Sequence, residues 1–554
     1  IEYELKTINH FDGRVENITK TWKVVDSELK TDNNVGRELG KKTGLNDIFI
    51  NMESPINDLE KVEAIYKYVQ KNSGYKQYNF MQKLAYKTNS GFEHGLNLQF
   101  STSSNVPRYD RLTDPSSSTG LRNAEWYYGP QQRVLAIYSL TKNNAFLGSN
   151  MKANFAYQNA QESRHNRRFG NYNLQHREEN VNMYSASLDL TKKFSKSELF
   201  YGFESYFETL KSSAYAKNVN TGVQTNLDTR YPNGDNNMMR NDFYVSYNHT
   251  ISKNTFWNAG GRVGYTTLKS TIADDTFFPL PFNSISQGNL TYSGALGIVH
   301  NASNNVMLKA NLSSGFRAPN IDDLAKVFES VPGTLIVPNE DLKPEKTVTA
   351  DLGFVIKSDS KRFKLENTYF YTRLYDAIVT APSTYNGLNT IIYDGSPSAV
   401  FANQNKGKAF ITGLSTNVTI AVLDNLHFNA GFNYTLGRVV ENGNQSPLDH
   451  ISPYFGKIGF LYNQKSVNLE AYMLYNGKKA LSDYSSSGED NLAYAPATGM
   501  PAWETYNFKA GFTLIEGGTL FAGVENILDM QYRTFSSGIN APGRNIYAGL
   551  KYTF

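Results

Sequence analysis

Apolar and polar residues alternate one by one along most of this chain. At its end Ile546, Ala548, Leu550, Tyr552 and Phe554 fall on one face of an extended segment, and Gly549, Lys551 and Thr553 on the other. That is the period-two signature of a strand with one apolar face. A hairpin with the same logic lies just upstream. Tyr506, Phe508, Ala510, Phe512 and Leu514 share a face, Glu516-Gly517-Gly518 turns, and Leu520, Ala522 and Val524 return on that face. Asn507, Lys509, Gly511 and Thr513 point the other way. Residues 1–76 are less regular. Leu59, Val62, Tyr66 and Val69 have near-helical spacing, which fits a short helix or an irregular loop equally well.

The connections follow a rule. Short polar turns at 88–90, 142–144, 195–197, 252–254, 301–304, 358–360, 424–425, 463–465 and 516–518 alternate with long irregular stretches at 104–125, 164–177, 217–239, 273–288, 317–343, 383–400, 441–451, 477–502 and 533–542. Outer-membrane barrels have short periplasmic turns and long extracellular loops, so strict alternation is expected there; a sandwich or propeller has no reason to keep it. The reading is therefore all-β: a transmembrane antiparallel β-barrel of about 22 strands, the size of plugged transporters, in the bacterial outer membrane and in contact with its lipid. An open edge cannot sit in lipid, so the last strand is expected to pair with the first. The aromatic terminus resembles the final strand of such barrels.

Composition sharpens this picture. The chain has 554 residues without a linker-like stretch, and no segment has the apolar length of a membrane helix. Mean hydropathy is −0.48, yet aromatic content is 13%, with Tyr 37 and Phe 33 against Trp 4. Strands wetted on one side and lipid-facing on the other average to such values. Cys 0 excludes disulfides, thiolate metal sites and cysteine nucleophiles. A net charge of +4 gives no reason to expect nucleic acid.

Ordered motifs carry a family resemblance. Phe316-Arg317-Ala318-Pro319 precedes Pro338-Asn339-Glu340-Asp341-Leu342-Lys343-Pro344-Glu345. Asn403, Gly407, Lys408, Ala409 and Gly413 follow, then Pro447, Leu448, Ile451 and Pro453, then Val524-Glu525-Asn526-Ile527-Leu528-Asp529, Tyr532-Arg533 and Pro542-Gly543-Arg544. This set resembles the boxes of TonB-dependent outer-membrane receptors over about 75–554. Asn105 to Arg111 and Ala124 to Pro130 resemble the haem or haemoglobin branch. The resemblance implies energy-coupled import of an iron-bearing ligand, haem or haemoglobin first and a ferric siderophore second, with the TonB complex and an accessory surface lipoprotein as partners. No intrinsic cofactor is implied; haem or a ferric chelate would be cargo. Two departures stand out. The family's N-terminal plug has no counterpart in 1–554, which reads as barrel throughout, and no histidine lies in 320–337, where haem receptors carry one. A passive porin-like channel and a surface-binding barrel are the alternatives. Most boxes also read as backbone geometry at strand–loop junctions.

Candidate chemistry follows from parity. His94, His249, His300 and His427 sit by short turns, at the periplasmic rim; His165, His176 and His450 sit by long loops, and His10 has no assigned place. Arg164, Arg167 and Arg168, with Arg108, Arg111, Arg122, Arg133 and Arg177, form a basic funnel suited to anionic chelates; contact with outer-leaflet lipid is the other reading. Trp126, Tyr127 and Tyr128 would stack on a planar ligand or belong to the aromatic girdle. No enzymatic constellation and no calcium-type loop is present.

Overall fold

The computed structural model describes residues 4–8, 15–19, 70–116, 120–274, 276, 282–331, 333–393, 396–441, 443–485 and 490–553. The helix expected near Leu59–Val69, His10 and Phe554 lie outside them. Glu4–Ile8 and Val15–Thr19 pair as a small hairpin.

One large antiparallel sheet curls round as a barrel. Among the described residues nineteen long strands follow one another in chain order, from Gln77–Lys87 to Asn545–Tyr552, and shorter pieces extend the sheet at its outer end. Among the described residues no ladder joins the first of these strands to the last. Loops near the two edges of the sheet do meet: the Tyr494 hydroxyl, in the loop before Trp503–Ile515, donates to Asp114 in the loop after Phe92–Ser103.

The period-two reading fixes the register. Phe508, Ala510 and Phe512 pair with Val524, Ala522 and Leu520, which pair in turn with Ile546, Ala548 and Leu550. Ile546, Leu550 and Tyr552 are exposed on the outer wall, while Tyr547 between them is buried. Outside, apolar side chains replace a core; inside, polar side chains bond across strands, as in the ladder Ser139–Asn154–Ser187. Among the described residues no helix is long and apolar enough to cross a membrane.

Three consecutive strands, Asn150–Arg168, Asn173–Lys193 and Ser197–Asn218, are 19, 21 and 22 residues long. About 9–11 residues cross a bilayer, so these rise well beyond it. The stretch 164–177, read from sequence as a long loop, is mostly strand, with only 169–172 turning. Its polar composition reflects height above the lipid, not irregular backbone. An aromatic row of Tyr157, Tyr184 and Phe207 marks the belt's upper edge. Above it the outer face turns polar, with Asn159 bonding to Asn180 and Asn182.

Loops fold into the mouth. Phe328–Val331, Thr334–Val337, Ile378–Pro382, Thr390–Tyr393 and Ser396–Asn405 make a five-stranded sheet around Leu335, Val337, Val400 and Ala402. It reaches the opposite wall, where the Tyr393 hydroxyl donates to Asp228 at 2.7 Å.

Candidate functional site

Alternation splits the basic segment. Asn150–Arg168 pairs on one side with Asn173–Lys193 and, above residue 163, on the other with Asn123–Tyr128. Arg164, Asn166 and Arg168 point into the mouth; His165 and Arg167 point outward. The inward set meets Trp126, Tyr128, Gln175 and Arg177 across the ladders, and Arg108 and Arg111 from the neighbouring loop. Together with Arg230, Asp228 and the loop residues Tyr385, Leu388, Ile391, Ile392 and Tyr393, they line a cavity of about 790 Å³, within the range of small-molecule sites.

The wall is strongly basic, with six arginines against one aspartate, Asp228. Arg108 is preorganised by bidentate bonds to Asp110 at 2.8 and 2.5 Å and by a bond to the Tyr128 hydroxyl. It lies 5.1 Å from the ring centres of both Trp126 and Tyr128. Burial works against ionisation of Asp110, but Arg108 overrides it and holds the carboxyl below its usual range. Arg164 donates to Glu162 at 2.9 Å, and its buried Nε has no partner among the described residues. Arg177 is held by Asp228 at 2.8 Å. Fixed guanidinium groups beside aromatic faces suit an anionic ligand with a planar or apolar body.

Not every sequence candidate belongs here. Arg167 faces outward and pairs with Glu125 at 2.7 Å. His165 and His176 are cross-strand partners on that same outer face. Their Nδ1 atoms are 2.7 Å apart, and the pair is sandwiched by Tyr127 and Tyr215, stacked at 4.7 and 4.5 Å. His450 stands apart, with positive φ and its backbone N–H on Asp490. No described histidine lines the cavity. The short-turn histidines sit at the far rim, His249 and His300 bonding Ser197 and Thr255 beside those turns. Sequence reasoning missed Asp228, Arg230 and the 385–393 segment; a polar or isolated aromatic residue in a long loop carries no periodic signal.

The motif residues are fasteners. Arg317 bridges Asp323 and Glu345, and Asn320 and Asp323 cap each other around a short helical turn. Asn339 donates to the Asn403 carbonyl, Asp341 N–H donates to Asn339, and Asn405 accepts from Lys343. Pro319 and Leu342 are buried, and Leu342 packs on Leu268, Ile285 and Leu324. Pro338 sits at the foot of the mouth sheet, lining a separate polar cleft. Phe316 and Ala318 flank Arg317 at the strand end. At the other end of the chain Asn526 ties Met530 and Pro542, and Arg544 ties Ile527 and Asp529.

The profile of the family described as "TonB dependent receptor-like, beta-barrel" matches residues 66–527. Similar curated proteins include haemoglobin-haptoglobin utilization protein B of Neisseria meningitidis, 27% identical over 304 residues, or 50% of this chain and 37% of that protein. The probable TonB-dependent siderophore receptor PirA of Acinetobacter baumannii is 27% identical over 320 residues, or 52% of this chain and 42% of that one. The chain thus spans less than half the length of these relatives. Among solved structures, the copper transporter OprC superposes with TM-score 0.72 at 14% identity, covering 87% of this chain and 75% of that one, which speaks for the fold.

Proposed function

This chain belongs to the TonB-dependent receptor-like β-barrel family, and from that premise we propose that it is the barrel of an outer-membrane receptor importing an anionic iron chelate. One observation carries the reading: inward Arg164, Arg168 and Arg177 of the raised strands, Trp126 and Tyr128 of Asn123–Tyr128, and Arg108 and Arg111 of the neighbouring loop gather on one cavity in the mouth. Several fixed positive charges in a partly dry site favour an anion by charge-assisted hydrogen bonds. The mouth sheet, which lines the cavity and is tied by Tyr393 to Asp228 on the opposite wall, argues against a passive open channel.

Histidine-free walls favour a coordinatively saturated ferric chelate, such as an anionic siderophore complex, over haem held through its iron. Haem would enter by its carboxylates alone. The haemoglobin and siderophore names of the relatives support both. Coupling to the TonB complex supplies the energy for passage, and a surface lipoprotein that delivers cargo is compatible with the raised mouth.

The test is ligand titration of purified protein, followed by quenching of the Trp126 region. Ferric catecholate and haemin should bind the parent, and Arg164→Ala should weaken the preferred ligand about ten- to a hundredfold, the worth of one charge-assisted bond. Unchanged affinity for every chelate tried would overturn the assignment.

A further inference from the structure

The row of four rings on the outer wall has no part in ligand capture from the mouth. Tyr127, His165, His176 and Tyr215 are successive cross-strand partners. They sit above the aromatic belt, beyond the polar outward positions Asn159, Gln161 and Ser163. We propose that His165 and His176 form a two-imidazole site for a divalent transition-metal ion, Cu²⁺ foremost, on the outside of the barrel.

Geometry carries the proposal. Nδ1 atoms 2.7 Å apart share a single proton. A metal bonded to both at about 2.0–2.1 Å would hold them about 2.9–3.4 Å apart at ordinary coordination angles, so the rings need part by less than an ångström. On binding, the bridging proton moves from Nδ1 to Nε2 of His176, so both rings stay neutral and no oxidation state changes. His165 also hydrogen-bonds to the Gly129 backbone, an outer contact of the kind that orients metal-bound histidines. Nε2 of His176 is buried without a partner among the described residues. Stacked tyrosines fix both ring planes.

Electrostatics leave both rings neutral, as ligands must be. Burial, then the neighbouring His176, presses His165 down to about 4, and burial with Lys217 lowers His176. The Lys217 charge opposes a cation; the nearby Glu125 carboxylate, shared with Arg167, offsets it. Among the described residues no third metal-binding side chain joins the pair, so water completes the shell and the ion exchanges readily. Cu²⁺ binds nitrogen sites most strongly of the first-row divalent ions.

Tag-free full chain in detergent is titrated with Cu²⁺ and examined by electron paramagnetic resonance. One ion with two equatorial nitrogens is expected. His165→Gln and His176→Gln should each weaken it tenfold or more and leave one nitrogen, while His94→Gln and His450→Gln change nothing. Heat-modifiable gel mobility confirms that each variant is folded. Equal copper affinity in parent and both site variants, or a parent spectrum without two nitrogens, would leave the pair as a proton-sharing rivet only. Chelate binding in the cavity is read separately, so either reading can fail alone.

Discussion

Five residues, Arg164 to Arg168, serve two surfaces by turns. Sequence shows them as one basic cluster because composition has no sides; only the strand's pleat assigns them. Two consequences can be measured. Arg168→Ala should weaken chelate binding in the way argued for Arg164, whereas Arg167→Ala, which breaks the outer pair with Glu125 and a bond to the Asn171 carbonyl, should leave affinity within twofold by the same titration. A second concerns Glu179, inward-facing above the belt, buried, and opposite Glu162. Burial, then Glu162, pushes its carboxyl from 4.5 up to about 7. The folded protein therefore keeps a proton that the unfolded chain gives up. Stability is greatest below about 4.5 and falls as pH rises through 7, by up to about 3 kcal/mol. Protection factors of the raised strands, corrected for the base-catalysed intrinsic exchange rate, should be larger at pH 5 than at pH 8, and Glu179→Gln should flatten that difference.

Among the elements, strands were legible and loops were not. Faces such as Phe508–Phe512 or Ile546–Tyr552 could be read directly, because lipid outside and water inside enforce alternation without help from tertiary packing. The raised strands misled because, above the lipid, neither face needs apolar residues. The mouth sheet was invisible, since its parallel pairing of Thr334–Val337 with Ser396–Asn405 joins segments some sixty residues apart. Motif residues proved to be fasteners between such segments. Gly437 illustrates the tolerance: a Cβ there would lie 2.8 Å from Ile451 and 3.1 Å from Leu448, so the loop seats only on a bare backbone. Arg317→Ala leaves Asp323 and Glu345 unbridged. We expect a local cost of about 1–3 kcal/mol, read as faster proteolysis within 318–343, with the barrel's heat-modifiable mobility intact.

At the scale of the whole molecule, the outer apolar wall does what a buried core does elsewhere, and lipid is its partner. Leu296 is exposed there beside Leu312. Leu296→Arg should cost about 2–4 kcal/mol if it lies near the bilayer midplane and less toward either interface, measured by urea unfolding from vesicles. A cost near zero would move this stretch out of the membrane.

The raised strands also bear on how such a protein can change over generations. Their outward residues stand clear of the membrane, where antibodies and phages first meet the cell, while their inward neighbours line the cavity. Because adjacent positions along one strand look in opposite directions, a lineage can repaint the face its enemies recognise, residue by alternate residue, and keep the same catch within.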